Sequence, residues 1–206
     1  AVPPSAGLNY LLEEAYVAYA HNDGFTLQNA AGGPAIFVYD PAHVVAAGNR
    51  VQLQVYELTT YQNMLEIVDY DIVSNDGGVF DVSTLAAELN DVPDASDRAE
   101  LVTFTDATVV SGSGNYWQVQ LVGGTHVTLY HFANSAGLCA GATFDVVQGY
   151  VFENLNGFFV RTFVAGDVAN LNISSCTGTS LDNWGFEDWT TTNPPPGFAK
   201  GTSLFT

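Results

Sequence analysis

The chain repeats one strand plan. Between Glu14 and Asp71 it reads AYVAYA, GFTLQ, AIFVYD, an AAG turn, RVQLQVYEL, a tight turn and NMLEIVDYDI. Between Glu100 and Asp167 it reads LVTFTDATVV, YWQVQL, HVTLYHF, a CAG turn, ATFDVVQGYV, a turn and GFFVRTFV. Five strand-like segments in the same order, separated by matching turns, predict one small β-module present twice. The 206 residues leave each copy about 80 residues, enough to bury its own core. A hydrophobic fraction of 47% with 13% aromatics excludes a disordered chain, which would lack the apolar surface to offset ordering entropy.

Local signals place the elements. LLEEAYVAYA (11–20) has helical propensity, yet Tyr16, Val17 and Tyr19 suit a strand, and the equivalent Val102–Thr105 of the second copy is plainly extended. The repeat therefore predicts a strand over Tyr10–Ala20. His21-Asn22-Asp23-Gly24, Ala31-Gly32-Gly33-Pro34 and Ala46-Ala47-Gly48-Asn49 are turn signals. Val82–Leu89 reads as a short helix capped by Ser83 or Thr84, and the Asp-, Pro- and Ser-rich stretch Asn90–Arg98 as a linker. The last strand of the second copy is expected to run on through Asn170-Leu171-Asn172-Ile173 to Cys176. Three units follow: residues 1–90, residues 91–178, and a tail over 179–206 that fits neither copy.

The order of five strands, with a long one after an Ala-Gly turn, points to an all-β chain. Its expected architecture is two tandem five-stranded OB-like Greek-key barrels plus a short C-terminal extended segment. The wording is more specific. GFTLQNAAGGPAIFVYD, VVAAGNRVQLQV and MLEI resemble OB-like domains of bacterial secreted and cell-surface proteins, the kind that often precede extracellular endonuclease/exonuclease/phosphatase domains. AELVTFTDATVV resembles the opening of the second domain of such tandems. The tail NWGFEDWTTTNPPPGF resembles the start of a secreted jelly-roll domain. No nuclease or phosphatase motif lies in the chain, so the resemblance carries no catalytic residue onto it.

Charge and cysteine usage narrow the setting. Four basic residues (Arg50, Arg98, Arg161, Lys200) stand against 22 acidic ones, a formal −18. Phosphate recognition rests on Lys and Arg, so nucleic acid is expected to be an unfavoured partner. An acidic surface suits a saline medium, a cation or a cationic partner, and it is equally the ordinary face of a soluble protein. Cys139 and Cys176 flank the fourth and last strands of the second copy. A bridge between them would contribute about 4 kcal/mol by restricting the unfolded chain; the alternative is two buried thiols. The opening AVPPSAG reads as a mature end left by a cleaved signal peptide, which places the chain outside the cell, where disulfides persist. No apolar run is long enough to cross a bilayer as a helix. Asn172-Ile173-Ser174 fits the N-glycosylation pattern.

Chemistry is sparse. His126 and His131, five apart on one strand, fall on opposite faces, which spoils a shared metal or an acid–base pair. There is no G-x-S-x-G elbow, no C-x-x-C, no Cys/His zinc pattern and no phosphate loop, so the chain is expected not to be an enzyme and to need no cofactor. Asp69 and Asp71 with Asp76 gather hard oxygens of the kind Ca²⁺ takes, and Asp91, Asp94 and Asp97 form a second group; a solvated acidic face is the alternative. Tyr39, Tyr116, Trp117 and Tyr130 sit where an OB surface stacks bases or sugars, while most of the phenylalanines are needed for two cores. Trp184, Phe186, Trp189 and Phe198 are the candidate partner contacts in the tail. Together these readings lead to a noncatalytic extracellular structural or adhesion module that self-assembles head-to-tail into a surface filament. Its expected partners are itself or other surface proteins, with a glycan as a further candidate. Accessory domains of a secreted nuclease or phosphatase, or a carbohydrate-binding surface module, are the alternatives.

Overall fold

The computed structural model describes residues 5–132 and 138–176. The tail, including Trp184, Phe186, Trp189 and Phe198, lies outside the described residues. The first barrel is built from β1 (Ser5–His21), β2 (Gly24–Gln28), β3 (Ala35–Tyr39), β4 (Arg50–Tyr61) and β5 (Met64–Asn75). It closes in the order β1-β2-β3-β5-β4, with β4 returning to β1 and β3 running parallel to β5. A two-residue strand β6 (Ala87–Glu88) leads into the second barrel: β7 (Leu101–Ser113), β8 (Tyr116–Gln120), β9 (His126–His131), β10 (Thr143–Asn154) and β11 (Gly157–Thr162). This one closes in the same order, β7-β8-β9-β11-β10, again with one parallel pair, β9 with β11. The chain is thus all-β, two tandem OB-like barrels. A last strand, β12 (Val168–Asn172), adds to the free edge of β10.

Alternation of inward and outward side chains fills each barrel. Phe25, Leu27, Val38, Val51, Leu53 and Ile67 fill the first. Phe104, Val119, Leu129, Phe144, Val151 and Val160 lead in the second. Register makes the copies superimposable in words: Phe25 pairs Val38 as Trp117 pairs Leu129, and Val38 pairs Ile67 as Leu129 pairs Val160. Trp117, expected on an exposed stacking face, therefore takes the inward place of Phe25 and is buried.

A third apolar cluster joins the barrels. Ala18, Tyr19, Phe37 and Met64 of the first pack with Leu101, Tyr150, Phe152 and Phe159 of the second. Strand β2 is buried at every position because both its faces are covered. Its inner face fills the first barrel, and its outer face meets the second through Gln28, which donates to Leu85 O and accepts from Leu101 N at 2.9 Å. Asp167 holds the other end. Fully buried, it accepts from the Tyr19 hydroxyl, from Phe163 N and Val164 N, and from Gln148. Buried polar groups satisfied in this way tie the barrels in one orientation.

Two expected elements differ. Val82–Leu89 is not a helix throughout: a 3-10 turn spans Val82–Leu85, and Ala87–Glu88 is extended, pairing in parallel with β7. The cap is Asp81, not Ser83 or Thr84; its carboxylate accepts from the Ser83 backbone and hydroxyl. The final strand of the second copy does not run to Cys176 in one piece. It stops at Thr162, a 3-10 turn at Ala165–Asp167 reverses the chain, and β12 returns along β10. Among the described residues no helix is long and apolar enough to cross a membrane.

Candidate functional site

A cleft of about 590 Å³ opens where the barrels meet. Phe37 and Tyr39 of β3, Thr59–Tyr61 of β4 and Glu66 and Val68 of β5 form one wall; Phe152 of β10 and Arg161 of β11 form the other, with Asp23 at the rim. A smaller hollow shares Tyr61, Phe152 and Arg161 and continues the groove to Tyr116, Tyr130 and Phe159. Local sequence explains the near wall. Gln62 and Asn63 both take positive φ (49° and 76°), the two-residue turn that matches strand twist. That turn sends the β4–β5 hairpin across to the second barrel, where Met64 is buried between the barrels and Asn63 reaches Glu153.

Arg161 is the chemical centre of the far wall. Register sets it beside Tyr150 on β10 and Tyr130 on β9. Its guanidinium lies 4.7 Å from the ring centres of both Phe152 and Phe163, 5.5 Å from Tyr130 and 5.8 Å from Tyr150. Its ion pair with Asp23 is long, 3.9 Å. Aromatic faces rather than a carboxylate therefore hold this cation, an arrangement that contributes about 2 kcal/mol when desolvated. By contrast Arg50 pairs with Glu14 and Asp76, and Arg98 with Glu153.

Glu66 faces it from the near wall. It sits between Phe37 on β3 and Thr59 on β4, only 4% exposed. Burial pushes its carboxyl up to about 7, and Arg161 pulls in the opposite direction without closing to an ion pair. Below the cleft the His21 ring stacks on Phe163 at 3.7 Å, its Nε2 3.2 Å from the Tyr150 hydroxyl. Burial, with Arg161 nearby, pushes His21 down to about 3, so it is neutral at ordinary pH. Burial and the Asp167 contact raise the Tyr19 hydroxyl well above the usual phenol range. The rim is different: Tyr39, Tyr61 and Tyr116 are 49%, 54% and 51% exposed, leaving about half of each ring open to a planar partner.

The residues singled out in the sequence are distributed unevenly. Tyr39, Tyr116 and Tyr130 do line the groove, and Trp117 does not. Cys139 and Cys176 are joined in a disulfide, Cα–Cα 5.6 Å. Asp69 and Asp71 lie on the outer face of β5, where Asp71 accepts from the Tyr56 hydroxyl. Asp76 is engaged elsewhere, accepting from Arg50 N and Gly78 N and pairing with the Arg50 guanidinium. These three aspartates are not brought together as a Ca²⁺ site, and among the described residues no cluster of three or more His, Cys, Asp or Glu could hold a metal. Asp94 and Asp97 shape the linker turn, Asp94 accepting from Ser96. β9 turns His126 outward and buries His131 against Thr162. Arg161, Glu66 and Tyr61 were not anticipated. The available signal was the repeat: Glu66 occupies the register of Phe159, and Arg161 that of Val68.

No protein-family model matches the chain, and no curated protein matches it. Similar solved structures include a murine DNA-binding protein bound with double-stranded DNA, at 12% identity over 78% of this chain and 91% of that one, TM-score 0.35. They also include the p204 HINb domain, at 12% identity over 76% and 93%, TM-score 0.36. A third is fission yeast Pot1 with single-stranded DNA, at 9% identity over 84% and 86%, TM-score 0.31. Likeness at this level is one of general outline and assigns no partner to this chain. Two of these neighbours are complexes with DNA. The exclusion of nucleic acid is withdrawn on the aromatic lining of the groove, and the expected extracellular adhesion or filament module with it. The physical fault lay in the charge argument. Net charge governs attraction to backbone phosphates, whereas bases stack on aromatic faces without needing it.

Proposed function

We propose that the chain is a noncatalytic binding module that takes the bases of a single-stranded nucleic acid into the cleft between its barrels. The observation that carries this reading is the half-open Tyr39, Tyr61 and Tyr116 rings arrayed around Arg161. The cleft falls in the range of roughly 300–1,000 Å³ used for ligands of small-molecule size, and its continuation past Tyr61 supports two adjacent bases rather than one. Each stacked base contributes about 1–3 kcal/mol. Phosphates contribute little, because Arg50 and Arg98 are paired with carboxylates. We propose in addition an oxidising, extracytoplasmic setting, as in the secreted bacterial proteins that the sequence resembles. The Cys139–Cys176 disulfide supports it.

Fluorescence anisotropy with a labelled dT6 oligonucleotide tests the reading at 50 and 500 mM NaCl. Stacking on an acidic protein predicts that affinity holds or rises with salt, since screening relieves the repulsion of the formal −18. Tyr39→Ala should weaken binding by roughly 5- to 100-fold. No binding by any oligonucleotide would sink the proposal, as would a steep loss of affinity with salt, which belongs to phosphate contacts.

A further inference from the structure

The walls of the cleft carry complementary chemistry that stacking alone does not use. Glu66 presents a buried carboxyl from the first barrel, and no hydrogen bond from any described residue reaches it. Its oxygens open onto the cleft and are not sealed in the interior, so the carboxyl stands free of protein partners and within reach of a ligand. The fold does not require it there. At the same register the second barrel places Phe159, which packs in the apolar cluster between the barrels. Across the cleft Arg161 is fixed by four aromatic rings, a hydrogen bond to the Tyr150 hydroxyl and a long ion pair with Asp23, which leave further donors of its five N–H groups for a ligand.

Resting on the reading of the cleft as a base-binding site, we propose that it selects guanine, with Glu66 accepting from one edge of the base and Arg161 donating to the other. Guanine places two N–H donors, on N1 and N2, side by side for a carboxylate, and two acceptors, O6 and N7, for a guanidinium. All four contacts are then satisfied, and the base bridges the two barrels. Adenine turns an amino group toward the arginine. Cytosine offers the carboxylate one useful donor and leaves the second oxygen dry. Thymine has one donor, N3–H, flanked by carbonyl oxygens that would face the carboxylate, and no N7 for the arginine.

The test uses the whole chain and five hexamers: dT6 and dT6 with one central dG, dI, dA or dC. The dG oligonucleotide should bind roughly 5- to 100-fold tighter than the dA and dC forms. Inosine, which lacks the N2 amine, should lose about tenfold relative to dG. A 7-deazaguanine substitution should weaken binding through the Arg161 edge, and Glu66→Gln should abolish the preference of dG over dI. Equal binding of all five, a preference for dC, or a preference of dG over dI that survives Glu66→Gln overturns the guanine assignment while leaving the stacking reading intact. Failure of every hexamer to bind overturns the stacking reading itself.

Discussion

The two barrels share every strand and differ where they face each other and where they are closed. In both, a Gly turn precedes the fourth strand at φ near +90° (Gly48 at +89°, Gly141 at +92°), and a later segment crosses so close that a Cβ would collide with its backbone, at Phe80 O and Ser175 O respectively. The first barrel secures this crossing with a hydrogen bond from Phe80 N to Gly48 O and the stacking of Phe80 on Tyr16 at 4.0 Å. The second secures it with the Cys139–Cys176 disulfide. The second difference lies in the cleft, where one barrel offers Glu66 and Val68 at the positions that the other fills with Phe159 and Arg161. Closure can thus be achieved covalently or by packing without changing topology. The polar exchanges, which do nothing for either core, mark the surface that diverged.

The largest test of that comparison removes the closures in turn. Reduction, or Cys139→Ala with Cys176→Ala, should destabilise the second barrel by about 4 kcal/mol, given the 37-residue separation. Phe80→Ala should cost the first barrel less, about 1–2 kcal/mol, because Phe80 is half-buried and loses one stacked pair. Urea denaturation followed separately by tyrosine fluorescence and far-UV circular dichroism would measure both, and equal losses would break the contrast.

Asp167→Ala addresses the joint between the copies. It strands the Tyr19 hydroxyl proton and Val164 N, while Phe163 N keeps only the Tyr19 oxygen as acceptor, at a cost of about 3 kcal/mol. The single unfolding transition expected of packed barrels should then separate into two; a variant that still melts in one step at the wild-type midpoint would show that Asp167 does not couple them.

A smaller effect concerns pH. Glu66 titrates near 7 in the fold and near 4.5 when unfolded, so the folded state binds the extra proton between those values. Its contribution is complete below about 4.5 and is lost as pH rises through 7. Glu100, also pushed up to about 7 by burial, acts in the same direction. His21, pushed down to about 3, has the opposite slope, its neutral form stabilising the fold increasingly from about 3 to 6.5. Arg161, Asp23 and Tyr150 are the charged and titratable groups facing Glu66 and His21, with His43 and Tyr19 also beside His21. Glu66→Gln should gain about 1–2 kcal/mol relative to wild type between pH 4.5 and 8, after allowance for solvent screening at the cleft mouth. Denaturation curves at the two pH values check this, and a pH-independent difference would refute it.

Much of the fold is legible in the sequence. The alternation in GFTLQ and YWQVQ, the Ala-Gly turns and the repeat itself are local signals, and they placed all ten barrel strands. Three of the four flagged aromatics line the groove. Trp117 does not: it follows Tyr116 on β8, so alternation sets the two on opposite faces, and barrel register gives Trp117 the inward place of Phe25. The short helix failed because Ala87–Glu88 had a strand partner in β7, a long-range pairing that outweighs local propensity.

By itself, then, the sequence determined two β-barrels in series, an acidic surface and a pair of cysteines placed to bridge. These follow from period, turn chemistry and composition, all of which act over a few residues. Only the tertiary structure decided that the outer face of β2 is buried, that Arg161 rests on four rings, and that Glu66 stands across from it on another barrel. Those two residues meet because an apolar joint fixes one barrel against the other, and no pattern within either copy encodes how that joint is turned.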